Sequence, residues 1–600
     1  MEPELSKINF VEKNKGYKMR VLIIVIILFT GIMFAQSSME KFTPQLNTVI
    51  DNSSQNENLL VWVFFTDKGN ETQNYLSKPS TVVSEKSLKR RAKVLSENKL
   101  ISENDLPVKQ DYINQLETAG FKLKQKTKWF NGVSGWANKS ELAQFANMPF
   151  VKQLDIVYKF RKDNFEEESV NDFPEEQNQN LSKPEGTSSF NYGQSFTQLD
   201  LITVPQVHDL GYTGEGVTIC MMDAGFDRWT THQVFSSMNV IATWDFVNGD
   251  PDVENGSDMG NGSHGTSTLS LIGGFFEGQL IGPAFNADFI LAKTENTDSE
   301  TPIEEDNWIA AMEWADSIGV DVTSTSLTYL DFDPPYPSYT WEDMDGNTSK
   351  ITIAADYAVG LGIFVANSAG NAGFNASHNT LGAPSDGDSV MAIGSVTSSG
   401  NRSNFSSVGP TVDGRIKPDL MAMGSSNYVA CNSSNTCYSS FGSGTSWSCP
   451  MVAGAAALIL QADPSLTPMQ LAAVLKNTAS QSNSPDNLYG WGIINTYAAA
   501  QSIVTGVNPN QTLEDYYILE NYPNPFNPST KIRFAVPEKS NVKLYLHDIL
   551  GSEIAVILDE EVSPGVKEVE LNGSELSSGI YLVRMVTNNY QKTIKITLLK

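Results

Sequence analysis

The part of this sequence best suited to chemistry is the stretch GSGTSWSCP at residues 442–450, which precedes an apolar run at 451–462. Small residues before Ser446 let one backbone approach another closely, and the Ala- and Leu-rich run has the length of a buried helix. We therefore predict that Ser446 lies at the start of a helix. There, N–H groups and the macrodipole stabilise negative charge, such as that of a tetrahedral acyl-transfer intermediate. Taken alone, the stretch also fits a turn followed by a helix cap.

A serine nucleophile needs a base that takes its proton and a third group that holds the base. His264 stands in GSHGT, where glycines let the ring approach another backbone, ahead of an apolar helix. Asp223 ends an apolar strand, where a carboxylate needs a donor such as the Nδ1–H of an imidazole; Asp227 is its nearby competitor. The other histidines stand in polar or helical contexts that favour structural or surface roles: His208, His232, His378 and His547.

Four separated motifs occur in the chain: DAG at 223–225, SHGT at 263–266, NSAGN at 367–371 and GTSWSCP at 444–450. Together they resemble the subtilisin-like (S8) family of serine endopeptidases, in which aspartate precedes histidine and histidine precedes serine. The resemblance implies that Ser446 is the nucleophile, His264 the general base and later acid, and Asp223 the orienting carboxylate. It also implies that the side-chain amide of Asn371 stabilises the oxyanion together with the Ser446 backbone N–H.

The same resemblance indicates where substrate binds. Ser326, Leu327 and Thr328 resemble the strand that pairs with substrate backbone, and Gly382 is expected at the floor of the primary specificity pocket. The chain departs from the family pattern at Thr328, at residues 267–269 and at residues 447–448. These departures leave the triad intact and concern substrate preference and pocket shape.

Apolar strands alternate with helical segments from residue 216 onward, which predicts a mostly parallel α/β sheet with helices on both faces. Such sheets carry their functional groups beyond the carboxyl ends of the strands. Strands are expected at 216–222, 289–293, 320–326, 362–366 and 390–394, and helices at 304–318 and 352–361. We assign residues 190–505 to this peptidase domain.

Three further segments precede it. Residues 1–35 read as a signal peptide with a positive and an apolar region, and Met19 is an alternative start. Residues 36–162 alternate strands and helices, including a basic helix at 84–100, and resemble the family's propeptides, which assist folding and inhibit the enzyme. The acidic segment 163–189 has almost no aliphatic residues and is expected to be an exposed linker carrying the processing site of a self-processed zymogen, with a plain tether as the alternative.

The end of the chain is a separate β-rich unit. After a linker at 506–519, residues 520–600 show alternating strands separated by turns, which is typical of a small β-sandwich. The unit begins NYPNPFNP and closely resembles the sorting domain of the type IX (Por) secretion system. The resemblance implies recognition by that machinery and passage through the periplasm to the outer surface or the medium. An accessory β-sandwich that binds substrate is the alternative.

Composition limits the partners. The net charge of −28, with no long basic run to balance it, argues against nucleic acid and suits a secreted protein. The family resemblance implies protein or peptide substrates and the chain's own propeptide as partners, and a monomeric state is expected. Cys431 and Cys437 lie in a Ser/Asn-rich segment and could close a small loop by a disulfide.

No cofactor is required for the chemistry, but oxygen-rich residues 250–261 are of the type that binds structural Ca²⁺, with a plain solvated loop as the alternative.

Two other functions could use some of these residues. An α/β-hydrolase esterase is excluded because its Gly-x-Ser-x-Gly elbow is absent around Ser446, where Ser448 stands instead of glycine, and because its triad partners follow the serine. A non-catalytic surface protein that keeps the fold and binds a partner remains the alternative to a serine endopeptidase.

Overall fold

The computed structural model describes residues 41–69, 72–157, 189–255, 263–295, 304–330, 338–504, 517–522, 524–536, 539–562, 565–588 and 590–599. The signal peptide at 1–35, the linker at 163–189 except its last residue, and most of the linker at 506–519 therefore lie outside the described residues. The described part forms two compact units. One contains the residues within 1–77 and 102–158, and the other those within 78–101, 159–332 and 338–600.

The described residues of the N-terminal region form five α-helices and four strands. The helices are α1 Pro44–Asn52, α2 Thr72–Leu76, α3 Glu85–Arg91, α4 Gln110–Thr118 and α5 Lys139–Ala146. The strands are β1 Leu59–Phe65, β2 Lys122–Thr127, β3 Gly132–Ala137 and β4 Val151–Ile156. They form an antiparallel sheet in the order β2-β3-β1-β4, whose apolar side chains share a core with residues of α1, α4 and α5. The small α/β propeptide fold is thus confirmed.

The basic segment differs from its prediction in secondary structure. The single helix expected at 84–100 is a short α3 followed by a separate 3₁₀ turn at Glu97–Lys99. Moreover, residues 78–101 belong to the second compact unit, although they lie inside the predicted propeptide range 36–162. Sequence periodicity reports which face of a helix is apolar, but not which of two domains covers that face.

The peptidase region is built on one large sheet. Its strands are β5 Thr218–Asp223, β6 Asn239–Asp245, β7 Phe275–Phe276, β8 Leu280–Ile281, β9 Asp288–Lys293, β10 Val322–Thr325, β11 Phe364–Ser368, β12 Met391–Val396, β13 Leu420–Met423, β14 Ser425–Ala430 and β15 Tyr438–Ser443. Its helices are α6 Phe196–Asp200, α7 Val204–Asp209, α8 Ser263–Gly273, α9 Glu304–Ile318, α10 Lys350–Gly360, α11 Thr445–Ala462, α12 Pro468–Thr478 and α13 Thr496–Val504.

Seven strands pair in parallel in the order β13-β12-β11-β10-β5-β9-β6, while β7-β8 and β14-β15 form separate two-stranded ribbons. Helices cover both faces of the large sheet. On β10, Ser324 contacts Cys449 of α11, and the next residue, Thr325, accepts a hydrogen bond from Trp308 of α9. Because successive side chains of a strand point to opposite faces, α9 and α11 lie on opposite sides. The predicted parallel α/β fold is confirmed.

The C-terminal strands are β16 Tyr517–Tyr522, β17 Ser529–Val536, β18 Ser540–His547, β19 Glu553–Val562, β20 Gly565–Asn572, β21 Gly579–Val586 and β22 Gln591–Leu598. They pair as two antiparallel sheets, β16-β17-β20 and β19-β18-β21-β22, around an apolar core. The predicted β-sandwich is confirmed, although β16 and β19 were not anticipated. Strand β19 is an edge strand that is exposed along most of its length and carries acidic residues, so it lacks the buried alternation that marks a strand.

None of the helices in the described ranges combines the length and apolar content needed to cross a bilayer.

Candidate active site

The first pair of site residues joins a strand end to a helix start. Asp223 is the last residue of β5, and His264 is the second residue of α8. Their side chains meet in a 2.7 Å hydrogen bond between His264 Nδ1 and Asp223 Oδ1. The buried carboxylate also accepts hydrogen bonds from the Ala224 N–H and from the Thr268 hydroxyl, each at 2.8 Å. These donors hold the carboxylate in one orientation, so the imidazole it contacts is oriented too.

A glycine permits this close meeting. A Cβ on Gly265 would lie 2.0 Å from the Gly225 carbonyl oxygen and 3.1 Å from Asp223 Cβ. Any larger residue would therefore force α8 away from the end of β5. This is the close approach that the small-residue frame around His264 predicted.

The surroundings of His264 favour its protonated form. Burial disfavours the charged ring, but the charge of Asp223, its hydrogen bond and the more distant charge of Glu295 outweigh burial and raise the pKa of His264. The ring still reaches solvent, since 26% of the side chain is exposed. A proton acceptor that is both oriented and accessible suits general base catalysis.

Ser446 lies in the first turn of α11, as expected from the small residues before it. Pro450 stands inside this helix and has no N–H to bond the Ser446 carbonyl four residues earlier. That carbonyl instead accepts a 3.0 Å hydrogen bond from the Ser326 hydroxyl, while Ser446 Oγ donates to the Ser326 carbonyl at 3.1 Å. The reciprocal pair fixes the start of α11 against the end of β10.

Trp447 brings the serine and histidine segments together. Its ring centroid lies 5.3 Å from that of His264. The residue directly after Ser446 therefore packs against the imidazole, and the carboxylate, the imidazole and the serine occupy one edge of the sheet. Trp447 entered the sequence analysis only as a departure from the family pattern, and its contact with His264 was not anticipated.

Asn371 follows β11 and reaches the same helix start. Its Oδ1 accepts hydrogen bonds from the Thr445 N–H and the Thr445 hydroxyl, both at 2.9 Å. Accepting these bonds through the oxygen sets the orientation of the amide. A Cβ on Gly444 would lie 3.5 Å from Asn371 Nδ2, so the donor end of the amide lies close to the turn before Ser446.

The segments expected to bind substrate also come together. Ser326 and Leu327 are buried after β10, and the Leu327 carbonyl accepts a 3.0 Å hydrogen bond from Asn367 Nδ2. Tyr329 and Ala383 exchange two backbone hydrogen bonds of 2.9 Å. This pairing places Gly382 against Thr328, since a Cβ on Gly382 would lie 2.9 Å from Thr328 Cβ.

Glu295 is a site residue that the sequence did not identify. It is buried two residues beyond β9, accepts a hydrogen bond from the Tyr329 hydroxyl, and helps to raise the pKa of His264. Its position after an apolar strand, at the same sheet edge as Asp223, was the signal available.

The competing titratable residues are engaged elsewhere. Asp227 accepts hydrogen bonds from the Asn255 N–H and from Asn432 Nδ2. The ring nitrogens of His208 pair with the Tyr192 hydroxyl and the Pro283 carbonyl, and His232 pairs with the Cys437 carbonyl. Burial lowers the pKa of His208 to about 4, which keeps that ring neutral and suits a structural role.

Cys431 and Cys437 form a disulfide with a Cα–Cα distance of 5.1 Å. Cys220 and Cys449 are buried thiols, and burial raises the pKa of Cys449 to about 12.

Within the described ranges, three or more His, Cys, Asp or Glu side chains nowhere converge as a metal site would require. In the expected calcium loop, Asp250 and Asp252 each accept a hydrogen bond from a backbone N–H of their own loop, at Asp252 and Glu254. Residues 256–261 of this loop lie outside the described residues.

Comparison with known proteins gives the class first. The "Subtilase family" (Peptidase S8) matches residues 214–492, the "Peptidase S8 propeptide domain, Bacteroidota" residues 60–175, and the "Secretion system C-terminal sorting domain" residues 520–598. Subtilisin DY of Bacillus licheniformis is 34% identical over 304 residues, which are 50% of this chain and 97% of that protein.

Two further relatives agree. Subtilisin NAT of Bacillus subtilis subsp. natto is 34% identical over a match that covers 52% of this chain and 72% of that protein. Subtilisin BL of Lederbergia lenta is 30% identical over a match that covers 50% of this chain and 96% of that protein. The fold, the site and these relatives define a serine-type endopeptidase. More particularly, the chain belongs to the subtilase family, carries a propeptide domain, and bears a type IX sorting domain that directs it to the cell surface or the medium.

Proposed function

We propose that this protein hydrolyses peptide bonds of protein or peptide substrates through Ser446, His264 and Asp223, with an acyl-enzyme intermediate. The observation that carries the proposal is the 2.7 Å bond between His264 Nδ1 and the buried Asp223, beside the first turn of α11, in which Ser446 lies. The Ser446 hydroxyl now donates to the Ser326 carbonyl, so its proton must be redirected toward His264 Nε2 for catalysis. Catalytic hydrogen bonds of this kind often tighten only when substrate binds.

In the acylation step, Ser446 Oγ attacks the scissile carbonyl carbon while its proton passes to His264 Nε2. The developing oxyanion is stabilised by Asn371 Nδ2 and the Ser446 N–H at the positive end of α11. His264 then gives the proton to the leaving amine, and the peptide C–N bond breaks. Water deacylates the enzyme in the same two steps, with His264 first taking and then returning a proton.

We also propose that the enzyme is made as a zymogen that cuts itself within residues 163–189. Support comes from the order of the chain, with a propeptide domain, an acidic linker and a peptidase domain in succession. Segments 326–328 and 382 are proposed to receive substrate backbone and the primary side chain, because the Tyr329–Ala383 pairing places them side by side.

A fluorophosphonate probe tests the assignment of Ser446. The mature protein should be labelled covalently, with the modified peptide containing residue 446, and Ser446→Ala should abolish labelling and peptide hydrolysis. Ser448→Ala is the matched control, since this buried serine lies two residues further along the same helix and should keep both activities.

A folded wild-type protein that neither reacts with the probe nor cleaves peptides, and cannot be told from Ser446→Ala, would favour the non-catalytic binding function.

A further inference from the structure

The basic segment around α3 packs into the peptidase unit at the end of the sheet opposite to the active site. Its partners lie just before strands begin: Thr218 at the start of β5, residues 316–321 before β10, and residues 361–362 before β11. Asp223, Ser326 and Asn371 lie where these same three strands end. Because the strands are parallel, α3 contacts the amino edge of the sheet, whereas the catalytic groups occupy its carboxyl edge.

Two arginines of α3 share one buried carboxylate. Arg90 and Arg91 are at most 2% exposed, and both guanidinium groups bond to Asp316, which is itself fully buried. Arg91 Nη2 lies 2.5 Å from Asp316 Oδ2, and its Nε lies 3.2 Å from Oδ1. Arg90 donates in addition to the Val320 carbonyl at 2.6 Å and the Leu361 carbonyl at 3.1 Å.

The receiving surface consists of two helix C-termini. Asp316 lies in the last turn of α9, and Leu361 caps the end of α10. The carbonyl ends of helices carry partial negative charge, which favours cations and disfavours a carboxylate such as Asp316. The two guanidinium groups offset the unfavourable position of Asp316. Removing one partner from a buried ion pair is strongly destabilising, so the loss of either arginine should weaken this contact.

The backbone is shaped for the same contact. Ser84 binds the end of α9 through its N–H to the Ser317 carbonyl at 2.9 Å and its hydroxyl to the Ile318 carbonyl at 2.6 Å. Directly after α9, Gly319 has a φ of +101°, and a Cβ there would lie 2.7 Å from the Ser87 nitrogen. Any residue other than glycine would therefore crowd α3 at this point.

We propose that residues 84–95 are an anchor that closes the amino edge of the peptidase sheet and keeps the N-terminal region bound to the peptidase after the linker at 163–189 is cut. The partner is thus a segment of this same chain, held by Arg90 and Arg91 at Asp316. This attachment goes beyond the proposed catalytic function and does not involve the substrate-binding edge. After cleavage, the anchor is retained as a non-covalent component of the peptidase.

The test uses the full chain carrying Ser446→Ala and a recognition sequence for an unrelated site-specific protease within residues 163–189. After cutting, the fragments are diluted in series, and their apparent dissociation constant is measured by size-exclusion chromatography. Arg90→Met and Arg91→Met should each weaken the association at least tenfold. Lys89→Met is the matched control, because it removes an exposed positive charge from the same helix and should leave the association unchanged.

Equal dissociation constants for all four proteins would overturn the proposal. If an arginine variant fails to fold, hydrogen exchange on the cut but otherwise unmutated protein decides. Amides of residues 85–95 should stay protected, and exchange as fast as in an unstructured peptide, with the peptidase still folded, would contradict the anchor. Because all these proteins lack Ser446, a failure of the anchor is distinguishable from a failure of the proposed catalytic mechanism.

Discussion

At the scale of single residues, the site depends on groups that hold other groups in place. Thr268 and the Ala224 N–H hold Asp223, Asp223 holds His264, and Thr445 holds Asn371. The bonds from Thr268 to Asp223 and from Thr445 to Asn371 were not predictable from spacing, because each joins positions that are close only after folding. The pairing of Asp223 with His264 was expected from the motifs. The catalytic candidates themselves were identifiable, because their motifs combine a chemical group with the small residues that give it room.

Asn371→Ala should lower kcat by about 10²–10³ with little change in KM, because one donor to the oxyanion is lost while the ground-state carbonyl binds as before. Steady-state kinetics on a peptide amide substrate measure both constants. Ser377→Ala, an exposed position in the same loop, is the control and should change neither. A variant whose KM rises while kcat is retained would assign Asn371 to substrate binding instead.

The raised pKa of His264 predicts where activity is lost on acidification. Only the neutral ring accepts the serine proton, so kcat/KM should be full above this pKa and fall as the pH drops through it, with a midpoint above the ordinary histidine value of about 6.5. The contribution of the His264–Asp223 pair to the stability of the fold has the opposite pH dependence to activity. It is present at low pH and is lost as the pH rises through the pKa of His264 in the folded protein.

Glu295→Gln provides the matching variant for the pH profile. It removes one of the charges that raise the pKa of His264 and should move the acid limb of kcat/KM to lower pH. A midpoint at or below 6.5 in the wild-type protein, or an acid limb that the variant does not move, would contradict this account of the site.

At the scale of elements, buried polar contacts fix the positions of strands and helices relative to one another, because they are directional and apolar packing is not. Asp419, one residue before β13, accepts a 2.8 Å hydrogen bond from the Ala392 N–H of β12. It also pairs with Lys417 at 2.8 Å and with Lys476 of α12 at 2.7 Å. Although burial opposes ionisation, the two lysines lower the pKa of Asp419 to about 2.

Asp419→Asn should therefore reduce the free energy of unfolding at pH 7 by about 3 kcal/mol, because two lysines lose their buried counter-charge. The wild-type advantage is present above the unfolded pKa of about 3.8 and is lost as the pH falls through about 2, so the difference should shrink in acid. Urea titrations of Ser446→Ala proteins, followed by tryptophan fluorescence at several pH values, measure it.

Exposed Asp200→Asn serves as the control in the same unit and should have little effect. A stability difference between Asp419→Asn and its parent that stays constant from pH 7 to pH 2 would show that Asp419 is not acting through its charge.

At the scale of the whole molecule, the chain consists of three domains that follow one another along the sequence. It carries a propeptide domain, a peptidase domain and a sorting domain that directs it to the cell surface or the medium. The net charge of −28 suits this extracellular destination.

Self-processing makes a prediction at this scale. Wild-type protein purified from the medium should have a new N-terminus within residues 163–189, the segment proposed to carry the processing site. Ser446→Ala should retain an intact link between the propeptide and the peptidase. Mass spectrometry of both proteins measures the termini. An active wild-type enzyme whose chain runs unbroken from residue 36 into the peptidase domain would refute processing at the linker.

The sequence by itself determined the order of the modules, the parallel sheet and the identity of the candidate catalytic residues. These features are local, since apolar runs report buried strands, and a reactive group between small residues reports a close approach.

Only the tertiary structure decided what holds those residues and which unit the basic segment joins. The sharing of Asp316 by Arg90 and Arg91, the bond between Tyr329 and Glu295 and the contact of Trp447 with His264 each join side chains from distant segments. Charged residues are usually exposed unless the fold brings a partner of opposite charge beside them. Composition and periodicity therefore cannot distinguish an exposed arginine from a buried one.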